Sequence, residues 1–100
     1  MIKAVYSVKD DNFTYLSVEG HAESNEYGKD LICASVSSIM FGLMNALDNY
    51  DDVTINELDN HIEIISGSKL EVVNNYFELV LIQLKTIEES YGEFIKVERK

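Results

Sequence analysis

Chemistry in this chain has few places to reside. It holds one cysteine, Cys33, and two histidines, His21 and His61. A thiol becomes a nucleophile when a base removes its proton. An imidazole of ordinary pKa, about 6.5, can take that proton and later return it to a leaving amine. Cys33 with His21 is therefore the pair to weigh for covalent attack on a carbonyl. Each residue also has a plain alternative: a lone cysteine in an apolar helix packs as a small core residue, and a lone histidine at a strand end sits on the surface. His61 falls on an expected hairpin. Ser35, Ser37 and Ser38 lack a neighbouring histidine and read as small residues that let a helix pack closely. Ser37 lies one turn beyond Cys33 on the same helical face and could line a site. Met40 shares that face. Asp48, Asp51, Asp52 and Asp59 match no calcium-loop spacing, and one cysteine cannot make a disulfide within the chain or a multi-cysteine zinc site. No metal is expected.

The elements that must position the pair follow from periodicity. Ile2, Ala4, Tyr6 and Val8 alternate with Lys3, Val5, Ser7 and Lys9, the period of a strand. Asp10-Asp11-Asn12 is turn chemistry. Thr14 to His21 alternates again, so the first two strands form a hairpin that ends at His21. A polar loop, Ala22 to Lys29, follows. From Leu31 the apolar period lengthens: Ile32, Val36, Ile39, Leu43 and Leu47 mark one face of a helix. Asp30 is placed to cap it, which makes Cys33 its third residue, near unpaired amides and the positive end of the helix dipole. Those amides would favour a thiolate and could hold an oxyanion. Asp30 could instead orient His21.

Val53-Thr54-Ile55 and Ile62-Glu63-Ile64 read as short strands joined at Asp59-Asn60. Ser68-Lys69-Leu70-Glu71 has the pattern of a capping box. The stripe Leu70, Val73, Phe77, Val80, Leu84, Ile87, Tyr91 then predicts a long helix that stops at Gly92. Phe94 to Val97 is a last strand. The order ββαββαβ predicts an α+β fold: a two-layer sandwich with a mainly antiparallel sheet and both helices on one face. Val5 and Ile65 fall opposite their neighbours' apolar sets, which suits contact with a second copy.

The chain has 100 residues, 46% of them hydrophobic, as expected for a single domain spanning residues 1–100. Eighteen acidic against eight basic side chains give a net charge of −10. The few cations are scattered, so direct binding to a nucleic-acid backbone is not expected. No apolar run reaches the roughly 20 residues of a membrane helix, and the start does not read as a signal peptide. A cytoplasmic location without membrane association is the expectation.

The segment Gly20-His21-Ala22, five residues, then Gly28-Lys29-Asp30-Leu31-Ile32-Cys33-Ala34-Ser35-Val36-Ser37 closely resembles the signature of the ribosomal-processing cysteine protease family. The resemblance implies a catalytic dyad of His21 and Cys33. It implies substrate-binding or site-supporting roles for Gly20, Ala22, Gly28, Asp30, Ala34 and Ser37. Members of that family remove the N-terminal extension of a large-subunit ribosomal protein, number twenty-seven, cutting after an aromatic residue. They are homodimers, use no cofactor, and carry a mobile loop between histidine and cysteine, here Ala22 to Asp30. The alternative is a non-catalytic dimeric module that binds a ribosomal protein or assembly factor, with Cys33 inert. A thiol redox sensor is disfavoured, because no second cysteine could resolve a sulfenic acid.

Overall fold

The computed structural model describes residues 1–20 and 27–100, with side-chain detail for residues 1–20 and 31–100. Strands β1 (Ile2–Lys9) and β2 (Asn12–Glu19) form the first hairpin. Asp10 and Asp11 turn the chain with φ of 53° and 64°. Two successive left-handed residues match the twist of paired strands, and aspartate tolerates that region better than most side chains. Helix α1 (Tyr27–Leu47) follows, then the hairpin of β3 (Val53–Leu58) and β4 (His61–Ser66), helix α2 (Glu71–Tyr91) and strand β5 (Ile95–Arg99).

The sheet order is β3-β4-β2-β1-β5. All neighbours are antiparallel except β1 and β5, which run parallel from Ile2↔Ile95 to Tyr6↔Arg99. A parallel neighbour needs a crossover, and α2 supplies it by carrying the chain from β4 to the far edge. Both helices lie on one face, as the sequence predicts. Met40 and Leu47 of α1 and Phe77 and Leu84 of α2 are buried in one core with Ala4 and Ile64 of the sheet. Phe13 stacks on Phe77 with centroids 5.5 Å apart, which ties β2 to α2. The sheet's other face is mixed, with Val5 and the exposed Ile65 among polar side chains. There Tyr15 donates to a Glu63 carboxylate oxygen at 3.0 Å, and Lys3 lies 3.7 Å from Glu98.

Several boundaries differ from the sequence reading. Strand β2 ends at Glu19, and Gly20 leaves it with φ +85°. Helix α1 begins at Tyr27, so Asp30 is not its N-cap, and Tyr27 to Asp30 form its first turn rather than the end of a loop. The capping box at α2 is also not formed. The N-cap is Leu70, with no side-chain hydrogen bond to the helix amides. Ser68 is buried and its Oγ accepts instead from the Leu70 amide at 3.2 Å, a local serine turn. Asn74, one turn inside the helix, does the anchoring. Its Oδ1 accepts the Phe13 amide at 2.7 Å, and its Nδ2 donates to Asn12 Oδ1 and to the Leu70 carbonyl, each at 3.0 Å. Gly92 does end α2, but with right-handed φ of −61° rather than a left-handed cap.

Candidate active site

Cys33 is the seventh residue of α1, counting from Tyr27, and so lies in its second turn. In an α-helix only the first four amides lack an intrahelical acceptor, and the dipole effect fades within the first turn. Cys33 therefore does not sit against the free amides of the helix start. The early start of the helix puts those amides on residues 27 to 30.

What the fold gives Cys33 instead is a cleft. One stripe of α1, Cys33, Val36, Ser37, Met40 and Phe41, recurs at three- and four-residue steps and forms one wall of a cavity of about 220 Å³. The cavity lies at the end of the sheet where β1 starts, β2 stops and the β3–β4 hairpin turns. Its floor is Ile2, Val18 and Ile62, one residue from each of three adjacent strands. Apart from half-buried Ile62, these belong to the buried core, so the floor is fixed by packing. The far rim is the hairpin, through Glu57, Leu58 and Asn60. Phe41 and Leu58, 46% and 63% exposed, are apolar lips on opposite sides. Cys33 is half-buried at this boundary.

Beyond the β4–β2 pairing, a further hydrogen bond ties the rim to the exit of β2. The Gly20 amide donates to the Asn60 carbonyl at 3.0 Å. A Cβ at Gly20 would overlap the Met1 carbonyl oxygen, and its φ of +85° disfavours any side chain. Gly20 also lines the cavity, so the residue that precedes His21 is fixed in place at the cleft edge.

The expected site residues thus separate. Gly20, Cys33 and Ser37 meet at one cavity. Ala34 is exposed and does not line it. Gly28 and Asp30 are in the first turn of α1. His21 and Ala22 lie outside the described residues. Sequence reasoning missed the hairpin rim, Glu57, Leu58 and Asn60. No local signal marks them, because they reach the cleft only through the pairing of β4 with β2. His61 also borders the cavity, paired with Glu19 of β2. Side chains alternate along a strand, so with Ile62 and Ile64 facing the helices, His61 shares the outer face with Glu63. The Glu63 carboxyl is held below its ordinary range by hydrogen bonds from Asn56 and Tyr15, and the His61 and Lys100 charges add to this. His61 thus lies both beside that outer cluster and at the border of the cavity. Among the described residues no group of three or more His, Cys, Asp or Glu could hold a metal, and no helix is long and apolar enough to cross a membrane.

Comparison with known proteins agrees on one family. The family model described as cysteine protease Prp matches residues 1–96. The ribosomal processing cysteine protease Prp of Staphylococcus aureus is 32% identical over 106 aligned positions, covering 100% of both chains. The protein of the same name from Mycoplasma pneumoniae is 32% identical, covering 83% of this chain and 84% of its own. The crystal structure of the S. aureus protease with a substrate peptide superposes with a TM-score of 0.90 at 32% identity over 100% of both chains. A second S. aureus structure, with a covalently linked product peptide, gives a TM-score of 0.87 at 33% identity, again over 100% of both chains.

Proposed function

The chain belongs to the cysteine protease Prp family and is a cysteine protease, and from that premise we propose that Cys33 and His21 form its catalytic dyad and that its substrate is the N-terminal extension of large-subunit ribosomal protein twenty-seven. One observation supports the reading: the chain's single cysteine stands at the mouth of the cleft at the sheet end, which is also lined by Gly20, the residue before His21 in sequence.

The chemistry follows from the residue types. His21 takes the Cys33 proton, and the thiolate sulfur attacks the scissile carbonyl carbon. The C–S bond forms, the C–N bond breaks, and the imidazolium returns its proton to the leaving amine. Water, deprotonated by the same imidazole, then hydrolyses the thioester and frees the thiol. The S. aureus relative solved with a covalently linked product peptide supports a covalent route. Cleavage after an aromatic residue suits the cavity, whose floor offers only aliphatic surface between the lips Phe41 and Leu58. Ser37, on the same wall as Cys33, supports the site from inside the cleft. Gly28 and Asp30 act from the first turn of α1, next to the segment that bears His21. Gly20 fixes the exit of β2. Ala22 and Ala34 keep the flanks of the two reacting residues small. The protein acts as one domain, in the cytoplasm where its ribosomal substrate is made, as a homodimer, and without cofactor or nucleic-acid contact.

The test is to incubate the purified protein with a peptide spanning the junction of that extension and to follow products by mass spectrometry. One cut after an aromatic residue, lost in both Cys33→Ala and His21→Ala, is expected. Cutting that survives either substitution would refute the dyad, and no cutting of this peptide would refute the substrate.

A further inference from the structure

Strand β3 is one of the two edges of the sheet, paired on one side only with β4. Its pairing runs over six positions, Val53↔Ser66 to Leu58↔His61, without a register shift. An edge of this kind presents a row of unpaired main-chain N–H and C=O groups. Proteins usually blunt such edges with lysine, proline or a bulge. β3 has none of these: its sequence is Val-Thr-Ile-Asn-Glu-Leu, with one charge. The opposite edge, β5, carries Lys96, Glu98 and Arg99 within five residues. The unprotected edge is also the one that leads to the site, because its last two residues, Glu57 and Leu58, form the rim of the Cys33 cleft. The Gly20–Asn60 hydrogen bond holds the hairpin end against β2, so rim and edge keep a fixed position relative to the floor.

Building on the protease reading above, we infer that β3 is a docking rail for the substrate: the chain segment on one side of the scissile bond leaves the cleft in extended form and pairs with β3 as an added strand. The occupant is the peptide itself. The cleft fixes one of its residues, and among the described residues the edge that begins at the cleft rim is β3. A peptide that continues past Leu58 meets, among the described residues, the β3 main-chain groups turned away from β4, of which the Val53 amide already donates to the Tyr50 carbonyl at 3.1 Å. Main-chain pairing of this kind supplies affinity without demanding particular side chains. Six residues at about 3.3 Å each give a rail of roughly 20 Å. The cleft then selects the residue at the cut, and the rail sets the register and direction of the chain.

Two measurements on the Cys33→Ala protein with the uncut junction peptide test this. In hydrogen exchange followed by NMR, every second amide from residue 54 to 58 exchanges freely without peptide and becomes protected when it binds. In a scan of the peptide by backbone N-methylation, affinity falls about three- to tenfold at alternate positions on one side of the cut, the loss for one main-chain hydrogen bond. The other side shows no such period. Binding that perturbs the Ser37 amide but leaves those alternate amides from residue 54 to 58 unprotected would overturn the rail while the protease reading stands. So would a flat methylation profile. Protection of β3 that is already present without peptide and rises with protein concentration would assign the edge to a second copy and overturn the proposal. A junction peptide that neither binds nor is cut by the active protein would overturn the substrate assignment and the rail with it.

Discussion

Replacing Gly20 by alanine perturbs the point where fold and site meet. Gly20 has φ +85°, and an added Cβ would overlap the Met1 carbonyl oxygen, which is backbone and cannot swing aside. The left-handed conformation alone costs a side-chain-bearing residue about 1–2 kcal/mol. Relief of the overlap has to come from moving β1's first residue or the end of β2. Either move stretches the 3.0 Å bond from the Gly20 amide to the Asn60 carbonyl, worth about 1 kcal/mol. The sum is about 2–3 kcal/mol. At roughly 4–8 °C per kcal/mol for a domain of this size, the melting temperature should fall by about 8–24 °C. The control is Gly42→Ala. Gly42 is inside α1 and its added Cβ meets nothing within 4 Å. Alanine there should stabilise by about 0.5–1 kcal/mol, because glycine loses more chain entropy in a helix. Calorimetry on both variants gives the two signs. Cleavage of the junction peptide should fall for Gly20→Ala beyond any loss of folded protein, because the residue lines the cavity at which Cys33 stands. A Gly20→Ala protein with unchanged melting temperature and kcat/KM would refute the claim that this backbone is constrained and positions the site.

Other perturbations separate stability from function. Asn74→Ala removes four side-chain hydrogen bonds and leaves the half-buried Phe13 amide without its acceptor, so urea unfolding should show a loss of about 1–3 kcal/mol with kcat unchanged. Asn74→Asp keeps that acceptor and should lose less. Glu63 has a carboxyl held below its ordinary value of 4.5, chiefly by the Asn56 and Tyr15 hydrogen bonds. A depressed folded-state pKa means its contribution is present above the unfolded value and is lost as pH falls through the folded one. Stability of Glu63→Gln measured from neutral pH downward should therefore fall less steeply below pH 4.5 than that of the parent, and parallel curves would contradict this. Phe41→Ala trims a lip that is 46% exposed, so KM for the peptide should rise several-fold while stability stays within about 0.5 kcal/mol.

The order of elements, the two helix faces and the first hairpin are legible in the sequence because their causes are local. Alternation from Ile2 to Lys9, the Asp10-Asp11 turn and the three- and four-residue steps of α1 and α2 each depend on residues close along the chain. The spacing of Cys33, Ser37 and Met40 along one helical stripe is local in the same way. Helix starts were less legible. Asp30 suits an N-cap or a first turn equally, and Ser68 carries the capping pattern yet is buried in a turn of its own, so the choice depends on backbone angles that packing sets. What no stretch of sequence specifies is that β4 inserts between β3 and β2. That pairing sets the Asn60 carbonyl on the Gly20 amide and stands Glu57 and Leu58 across from Cys33. Pairing between strands distant in sequence depends on which arrangement buries the combined apolar faces of sheet and helices, a property of the whole chain. The candidate nucleophile is therefore legible in the sequence, whereas its cleft exists only in the folded molecule.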